Sequence, residues 1–456
     1  MKIAFQTLGC KLNYAETSTY ERGFRAEGWD VVSWQDRADV YLINTCAVTE
    51  HAEKKARNLI RKMHRTAPEA AIVVAGCYAE LRREQIEALE GVVRVFGAAE
   101  KRQVVSETID SVAEDPVSFT ETKENALSTG SPATQTTEKP QPAPLRKCSP
   151  EPVPLSPGSS ATQVMEAYSS GERTRSFLKV QDGCDNFCAY CTVPFARGRS
   201  RNIPICEAVR QAREIAASGI REIVLTGVNT GDFGRTTGES FLDLLKALNA
   251  VDGIERYRIS SIEPNLLTDE ISAWLASGTK FLPHFHIPLQ TGSDTLLKKV
   301  GRRYDTALFA SRIDTIRRHW KEATGLDGTV FFGIDVIVGL PGETEELFEE
   351  TYRFLAERIR PAYLHIFPYS KRSGTRAAVM PDQVQDRIKT ARVERLEALC
   401  RELEAEFIAT NRGRKERVLW ESDKKDGRMA GYTGNYIRIE RPYDASRVGT
   451  IEEVTI

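Results

Sequence analysis

The sequence has no long hydrophobic run. Nowhere do apolar residues approach the roughly 20 in succession that a membrane-spanning helix requires, which excludes an integral helical membrane protein. It also lacks a charge excess: 63 Lys and Arg stand against 64 Asp and Glu, a net charge of −1. No global field therefore draws the chain to nucleic acid, and any such partner must be met by local patches. No leader is expected either, because Met1 to Thr7 reads as a strand-like run that leads straight into Gly9-Cys10-Lys11 rather than a charged then apolar signal segment. A cytoplasmic protein is expected. Thiols stay reduced in that compartment, so the nine cysteines argue for metal or catalytic use and against disulfides.

Composition and length set the frame. A chain of 456 residues with 41% hydrophobic and 28% charged content is a globular protein of about three domains. Residues 1–110 alternate short apolar runs (Ile3–Thr7, Asp39–Asn44, Ala71–Ala75, Val92–Phe96) with amphipathic helical stretches, which predicts an open parallel α/β sheet. Over residues 111–170 the periodicity vanishes, and eight of the 20 prolines fall between Pro132 and Pro157. That composition predicts a flexible linker. Strand–helix alternation resumes across residues 171–411, with strand candidates at Ser176–Gln181, Glu222–Thr226, Arg256–Ser260, His284–Pro288, Thr329–Val338 and Tyr363–Phe367. Six βα units predict a partial (β/α)6 barrel, a smaller relative of the eight-stranded TIM barrel. Residues 412–456 switch to short β signals with turns at Asp426-Gly427 and Gly434-Asn435, which predicts a small antiparallel β-barrel.

Six cysteines fall into two triplets. Cys184, Cys188 and Cys191 are spaced Cys-x3-Cys-x2-Cys immediately after the first strand of the barrel segment. Three thiolates this close can bind three irons of a cubane cluster and leave the fourth open for substrate chemistry; a zinc site completed by Cys206 is the rival reading. Cys10, Cys46 and Cys77 are far apart in sequence, yet each follows a strand candidate of the first segment. In a parallel sheet those strand ends share one edge, where open α/β folds bind ligands, so these thiolates can hold a second cluster.

The central spacing, with the aromatic Tyr190 before the third cysteine, resembles the signature of the radical S-adenosylmethionine superfamily. With the runs Thr7-Leu8-Gly9-Cys10-Lys11-Leu12-Asn13, Asn44-Thr45-Cys46-Ala47-Val48, Gly76-Cys77 and Asp182-Gly183-Cys184 through Arg197-Gly198-Arg199, nearly the whole chain outside residues 111–170 resembles the methylthiotransferases of that superfamily. The resemblance implies two [4Fe-4S] clusters, S-adenosyl-L-methionine as cofactor, an external one-electron donor, a C-terminal domain of the TRAM type and insertion of a methylthio group. It further implies cofactor contacts at Tyr190, Gly227, Asn229, Ser261, Glu263, Gln290 and Ser293. The run Gly9-Cys10-Lys11-Leu12-Asn13 looks like the subgroup acting on N6-threonylcarbamoyladenosine beside the anticodon, which makes a tRNA anticodon stem-loop the expected partner. Its substituent ends in a carboxylate, and Arg197, Arg199, Arg302 and Arg303 are the candidate cations. Arg61, on the basic helix Glu50–Arg65, and Lys425, in the C-terminal segment, are candidate phosphate contacts. Alternatives are the isopentenyladenosine and ribosomal-protein subgroups and, outside enzymes, a metal-containing RNA-binding protein.

Overall fold

The computed structural model describes residues 1–47, 49–113, 164–170, 174–235 and 237–456. The N-terminal unit is a five-stranded parallel sheet of β1 (Lys2–Thr7), β2 (Asp30–Val32), β3 (Val40–Thr45), β4 (Ala71–Gly76) and β5 (Val92–Phe96), in the order β2-β1-β3-β4-β5. Strands β3 and β4 are buried along their whole length. Helices on both faces explain why these runs read as continuously apolar instead of alternating. The short β2, too brief and half-polar to register as a strand in sequence, extends the sheet beyond β1. The helix Glu50–Thr66 starts where the Thr49 side chain accepts a hydrogen bond from the Ala52 amide, satisfying an otherwise orphaned donor.

The boundaries expected for the linker need correction. The helix Val104–Ala113 runs into it from one side. From the other, Ala167–Tyr168 (β6) pairs antiparallel with β7 (Arg175–Lys179). Val164 and Met165 are buried, and Arg22 from the N-terminal unit donates to Tyr168 O at 2.9 Å while its guanidinium covers the Tyr168 ring. A segment this short escapes periodicity analysis. The proline-rich stretch itself lies outside the described residues.

The central unit continues through β8 (Gln181–Asp182), β9 (Arg201–Asn202), β10 (Glu222–Thr226), β11 (Arg256–Ile259), β12 (His284–Gln290), β13 (Phe331–Val338) and β14 (Tyr363–Pro368). Strands β7, β10 and β11 pair in parallel, as do β12, β13 and β14. The two groups meet where the Ile262 amide donates to His286 O at 3.1 Å and Tyr257 bridges Phe281. The result is a six-stranded partial barrel with its strands in chain order, filled by one large apolar core. The helix Asp386–Asn411 packs against β14.

The last unit is a four-stranded antiparallel half-barrel sheet of β15 (Lys415–Lys425), β16 (Arg428–Tyr432), β17 (Arg438–Pro442) and β18 (Ile451–Thr455), in the order β17-β16-β15-β18. It is the small antiparallel β unit expected, in the form of a half-barrel. The β15–β16 hairpin turns on Asp426 and Gly427, both at positive φ, the geometry that matches strand twist. Arg256 and Arg258 anchor the sheet to the barrel by donating to Thr433 O, and Arg258 also reaches Gly434 O at 2.8 Å. Among the described residues no helix is long and apolar enough to cross a membrane.

Candidate functional site

Because β1, β3 and β4 are neighbours and parallel, Cys10, Cys46 and Cys77 come to one edge of the sheet. Two glycines allow the close approach. Gly9 has φ +119°, and a Cβ there would lie 2.6 Å from Cys46 Cβ. Gly76 has φ +105°, and a Cβ would lie 2.4 Å from Thr45 O; only glycine fits such backbone. Asn13 locks the turns together, its Nδ2 donating to Leu8 O at 2.9 Å and Thr45 O at 3.0 Å. Cys10 is exposed, while Cys46 and Cys77 are buried. Burial raises the Cys77 thiol, opposed by the nearby Arg197 and Lys101.

The second triplet follows β8. Each thiol meets an N–H donor: Asn186 N at 3.5 Å from Cys184 Sγ, Val193 N at 3.4 Å from Cys191 Sγ, and Arg302 Nη1 at 3.3 Å from Cys188 Sγ. Burial pushes Cys184 up to about 11 and Cys191 up to about 12. As protein-only thiols they would stay protonated; three soft sulfur ligands with aimed donors fit an iron–sulfur cluster, whose irons hold thiolates.

A cavity of about 400 Å³ opens over this triplet, lined by Tyr190, Asn229, Ser261, Glu263, Gln290 and Arg302 among others. Its size suits a nucleoside-sized ligand. Glu263 takes Arg302 Nη2 at 2.7 Å and Asn186 Nδ2 at 2.8 Å, and its amide donates to Asn229 Oδ1 at 3.2 Å. Gln290 sits at φ +73°, a backbone state costly for a non-glycine residue and found mostly at functional sites. Carboxylate, guanidinium, amides and a hydroxyl beside the apolar Val228, Pro288, Ile337 and Phe367 make a donor set that fits S-adenosylmethionine, with its amino acid, ribose and adenine parts. Gly227 lies behind this lining, where a Cβ would meet Gln181 Oε1 at 2.8 Å, and Ser293 is buried at the start of the helix Asp294–Val300.

The candidate cations divide. Arg197 is not open to a substrate: it is 3% exposed, and donates to Glu16 Oε1 at 3.1 Å, Asp182 Oδ1 at 3.0 Å and Asn13 Oδ1 at 2.5 Å. Lys101 and Lys179 complete this network on Glu16 at 2.9 and 2.7 Å. Burial alone would raise the Glu16 carboxyl, yet Lys101, Lys179 and Arg197 hold it well below the usual carboxylate range. The network joins the N-terminal unit to the barrel, and the buried pair Arg372–Glu53 joins them again. Arg302 is committed to Glu263 and Cys188, at the cofactor side of the cavity. Arg303 donates to Asp185 O at 3.0 Å, and Arg199 is largely exposed near Asp185. Arg61 and Lys425 lie on the surface.

Sequence reasoning passed over a polar cluster inside the barrel. His286 Nε2 lies 2.6 Å from Asp335 Oδ1, His286 Nδ1 lies 3.4 Å from Ser261 Oγ, and the His365 ring lies tilted against His286 with centroids 4.7 Å apart. Asp335 also lines the cavity. Inward positions of β12, β13 and β14 hide these groups within apolar runs; their alternation with buried apolar neighbours was the available signal.

Comparisons with known proteins agree with this architecture. Residues 2–97 match the family described as Uncharacterized protein family UPF0004, and residues 178–355 match the Radical SAM superfamily. The chain is 36% identical over all of its length, and 93% of the relative's, to a threonylcarbamoyladenosine tRNA methylthiotransferase MtaB of Bacillus subtilis (strain 168). It is 33% identical to a protein of the same name from Aquifex aeolicus (strain VF5), covering 97% of each chain. It is also 31% identical to a tRNA-2-methylthio-N(6)-dimethylallyladenosine synthase of Wolbachia pipientis wMel, over 93% of this chain and 88% of the other. In fold it resembles the radical S-adenosylmethionine methyltransferase TsrM from Kitasatospora setae, with a TM-score of 0.55 at 15% identity over 83% of this chain and 74% of that one. Two cysteine triplets on joined α/β units, a cavity above one of them and near-complete coverage of these relatives lead to one conclusion: the chain belongs to the radical S-adenosylmethionine tRNA methylthiotransferases, enzymes that use a [4Fe-4S] cluster and S-adenosylmethionine.

Proposed function

We propose that the protein inserts a methylthio group at C2 of an N6-threonylcarbamoyladenosine beside the anticodon of tRNA. The observation that carries this finer reading is the 36% identity to the Bacillus subtilis relative of that name, and the run Gly9-Cys10-Lys11-Leu12-Asn13 supports it. In this reading Cys184, Cys188 and Cys191 hold the cluster that works with S-adenosylmethionine, and Cys10, Cys46 and Cys77 hold a second. Bound there, the two groups supply a carbon-centred radical able to attack an unactivated C–H bond and a sulfur ready for transfer.

The chain's own residues do the positioning. Glu263, fixed by Arg302 and Asn186, would hold the amino group of the cofactor, and Ser261, Asn229 and Gln290 of the same cavity would serve its other polar groups. The Glu16 and Arg372 ion pairs hold the two cysteine-bearing units together, so that groups held by the two triplets would serve one base. Arg199 and Arg303 flank the opening, Arg61 and Lys425 contact phosphates, and an external reductant delivers single electrons. The units 1–110, 171–411 and 412–456 divide the work as sulfur delivery, radical generation and RNA docking.

The test offers purified, reconstituted enzyme two tRNAs, one carrying threonylcarbamoyl and one dimethylallyl on N6, and measures which acquires methylthio. Preference for the second would transfer the assignment to the reading favoured by the Wolbachia pipientis relative.

A further inference from the structure

The proposed division of labour leaves the polar cluster inside the barrel without a task. Asp335 and His365 are paired positions on β13 and β14, and His286 of β12 brings the donor atoms of all three within 4.8 Å of one another. Their chain neighbours Ile287, Ile334 and Leu364 pack with Ile313 and Leu396 of the covering helices, which turns the polar side chains to the inner side of the strands. None of the three is fully buried. The cluster is continuous with the cavity over Cys184, Cys188 and Cys191, because Asp335 and Ser261 both line that cavity.

Its members differ in what they have left to offer. A carboxylate only accepts, so His286 Nε2 donates to Asp335 at 2.6 Å and Nδ1 accepts from the Ser261 hydroxyl at 3.4 Å. Both nitrogens of His286 are thereby spent, which weighs against a metal ion on this set. His365 is different. Among the described residues its ring meets two aromatic neighbours, His286 and Tyr363, with centroids 4.7 and 5.0 Å away, and no hydrogen-bond partner. A Cβ at Gly333 would lie 3.4 Å from His365 Nε2, so the bare glycine leaves that nitrogen uncovered. Burial lowers this histidine to about 4, and near neutral pH the uncharged ring offers one donor and one acceptor. That pair suits an uncharged polar group; a carboxylate is better served by a cation such as Arg199 or Arg303.

Resting on the substrate proposed above, we propose that His365 is a specificity-determining residue, its imidazole hydrogen-bonding the uncharged polar part of the N6-threonylcarbamoyl group while His286, fixed by Asp335 and Ser261, holds the ring in place. On adenine, C2 and C6 flank the same ring nitrogen. When C2 meets the cofactor, the group on N6 therefore lies close by and rests on a wall of this interior, and the wall beyond Asp335 is polar. A dimethylallyl group there would leave the His365 donor and acceptor unmade, and a site built to hydrogen-bond its substrate rejects an analogue that cannot reciprocate.

The test uses the reconstituted full chain and anticodon stem-loops bearing N6-threonylcarbamoyl or dimethylallyl. It measures the KM for methylthio insertion into the first and the Ki of the second as a competitor, with iron content and S-adenosylmethionine cleavage followed in each variant. His365→Phe keeps a flat ring and removes both hydrogen-bonding atoms. It is expected to raise the KM for the threonylcarbamoyl loop about 10–100-fold, the range of a buried hydrogen bond left unmade, and to leave or lower the Ki of the dimethylallyl loop. His365→Gln retains a donor and an acceptor and should restore most of the preference. Gly333→Ala sets a methyl against Nε2 on backbone that any residue adopts, and should raise the same KM with the histidine intact. A Ki/KM ratio unchanged in His365→Phe overturns the proposal, as does an equal loss toward both loops, the mark of a merely structural role. Should His365→Phe lose its iron, Gly333→Ala decides by the same ratio. A stoichiometric metal beyond the cluster irons, lost from His365→Phe, also overturns the proposal and gives the three residues to an ion. Wild type that modifies only the dimethylallyl loop instead overturns the substrate reading beneath it.

Discussion

The two cysteine triplets reach similar local chemistry by opposite routes. Cys184, Cys188 and Cys191 share one loop, and each thiol meets a donor from its own loop or from Arg302. Cys10, Cys46 and Cys77 are assembled by a sheet, one from each of three adjacent parallel strands, with Gly9 and Gly76 permitting the approach. A loop triplet survives distortion of the surrounding fold; a triplet built from strand ends does not. The two sites should therefore fail separately.

The largest effect is expected from the proposed cluster ligands. Cys184→Ala should reduce reductive cleavage of S-adenosylmethionine to background, whereas Cys46→Ala should leave cleavage and lose methylthio insertion. Anaerobic assay of deoxyadenosine and of modified nucleoside separates the two losses. Full-rate insertion by Cys46→Ala would end the division of labour. Next comes the joint between the sites. Arg197→Met leaves Glu16 and Asp182 with fewer counter-charges in a buried network and should cost about 3–5 kcal/mol, read as a fall in the unfolding midpoint. Cleavage should then uncouple from insertion, since the two units no longer hold one base between them. A midpoint within error of wild type would show that the Lys179–Glu16 and Arg372–Glu53 pairs secure the interface without Arg197.

Gly76→Ala probes the sheet-built site without touching a ligand. Its φ of +105° and the 2.4 Å approach to Thr45 O predict a loss of about 1–3 kcal/mol. On the proposed two-cluster reading, iron should fall from about eight per chain toward about four, as the N-terminal set is lost and the central one kept. Loss of both sets together would show that the triplets are not independent.

What the sequence disclosed follows the same division. The six barrel strands and the cysteines at strand ends were legible, because strand periodicity and short spacings are local. The strand β6 and the buried Val164 and Met165 were not, since two paired residues carry no period. Arg197 was misread because its partners, Glu16 and Asn13, lie in another unit; a buried ion pair has no signature until both halves are placed. His286, Asp335 and His365 were passed over for a related reason, since their alternation with apolar neighbours marks single inward positions and not a cluster. Polar groups on the inner face of a barrel become a cluster only when neighbouring strands are aligned.

The smallest effect tests the barrel interior beside His286 by acid. Burial, reinforced by the positive field of His286 and Lys11 and opposed by Asp335, lowers His365 to about 4, against about 6.5 in an unfolded chain. Between those values the unfolded state binds a proton that the folded state refuses, so stability rises with pH across the window. The contribution is complete above about pH 6.5 and is lost as pH falls toward 4. For a partly solvated ring we expect about 2 kcal/mol of that loss. His365→Gln should flatten the limb by this amount in urea unfolding at pH 7.5, 6 and 5. Glu16 does not confound the reading. Its carboxyl is held far below the ordinary range, so its stabilisation is present above about pH 4.5 and declines only at lower pH. His284, buried and likewise held well below the ordinary histidine range, shares the window, so only the part of the loss between pH 6.5 and 5 that His365→Gln removes reports His365, and acid loss below it reports the joint. Parallel curves for wild type and His365→Gln across pH 7.5 to 5 would mean that His365 accepts its proton as readily folded as unfolded, and that the barrel interior beside His286 is more open to water than the burial of His365 implies.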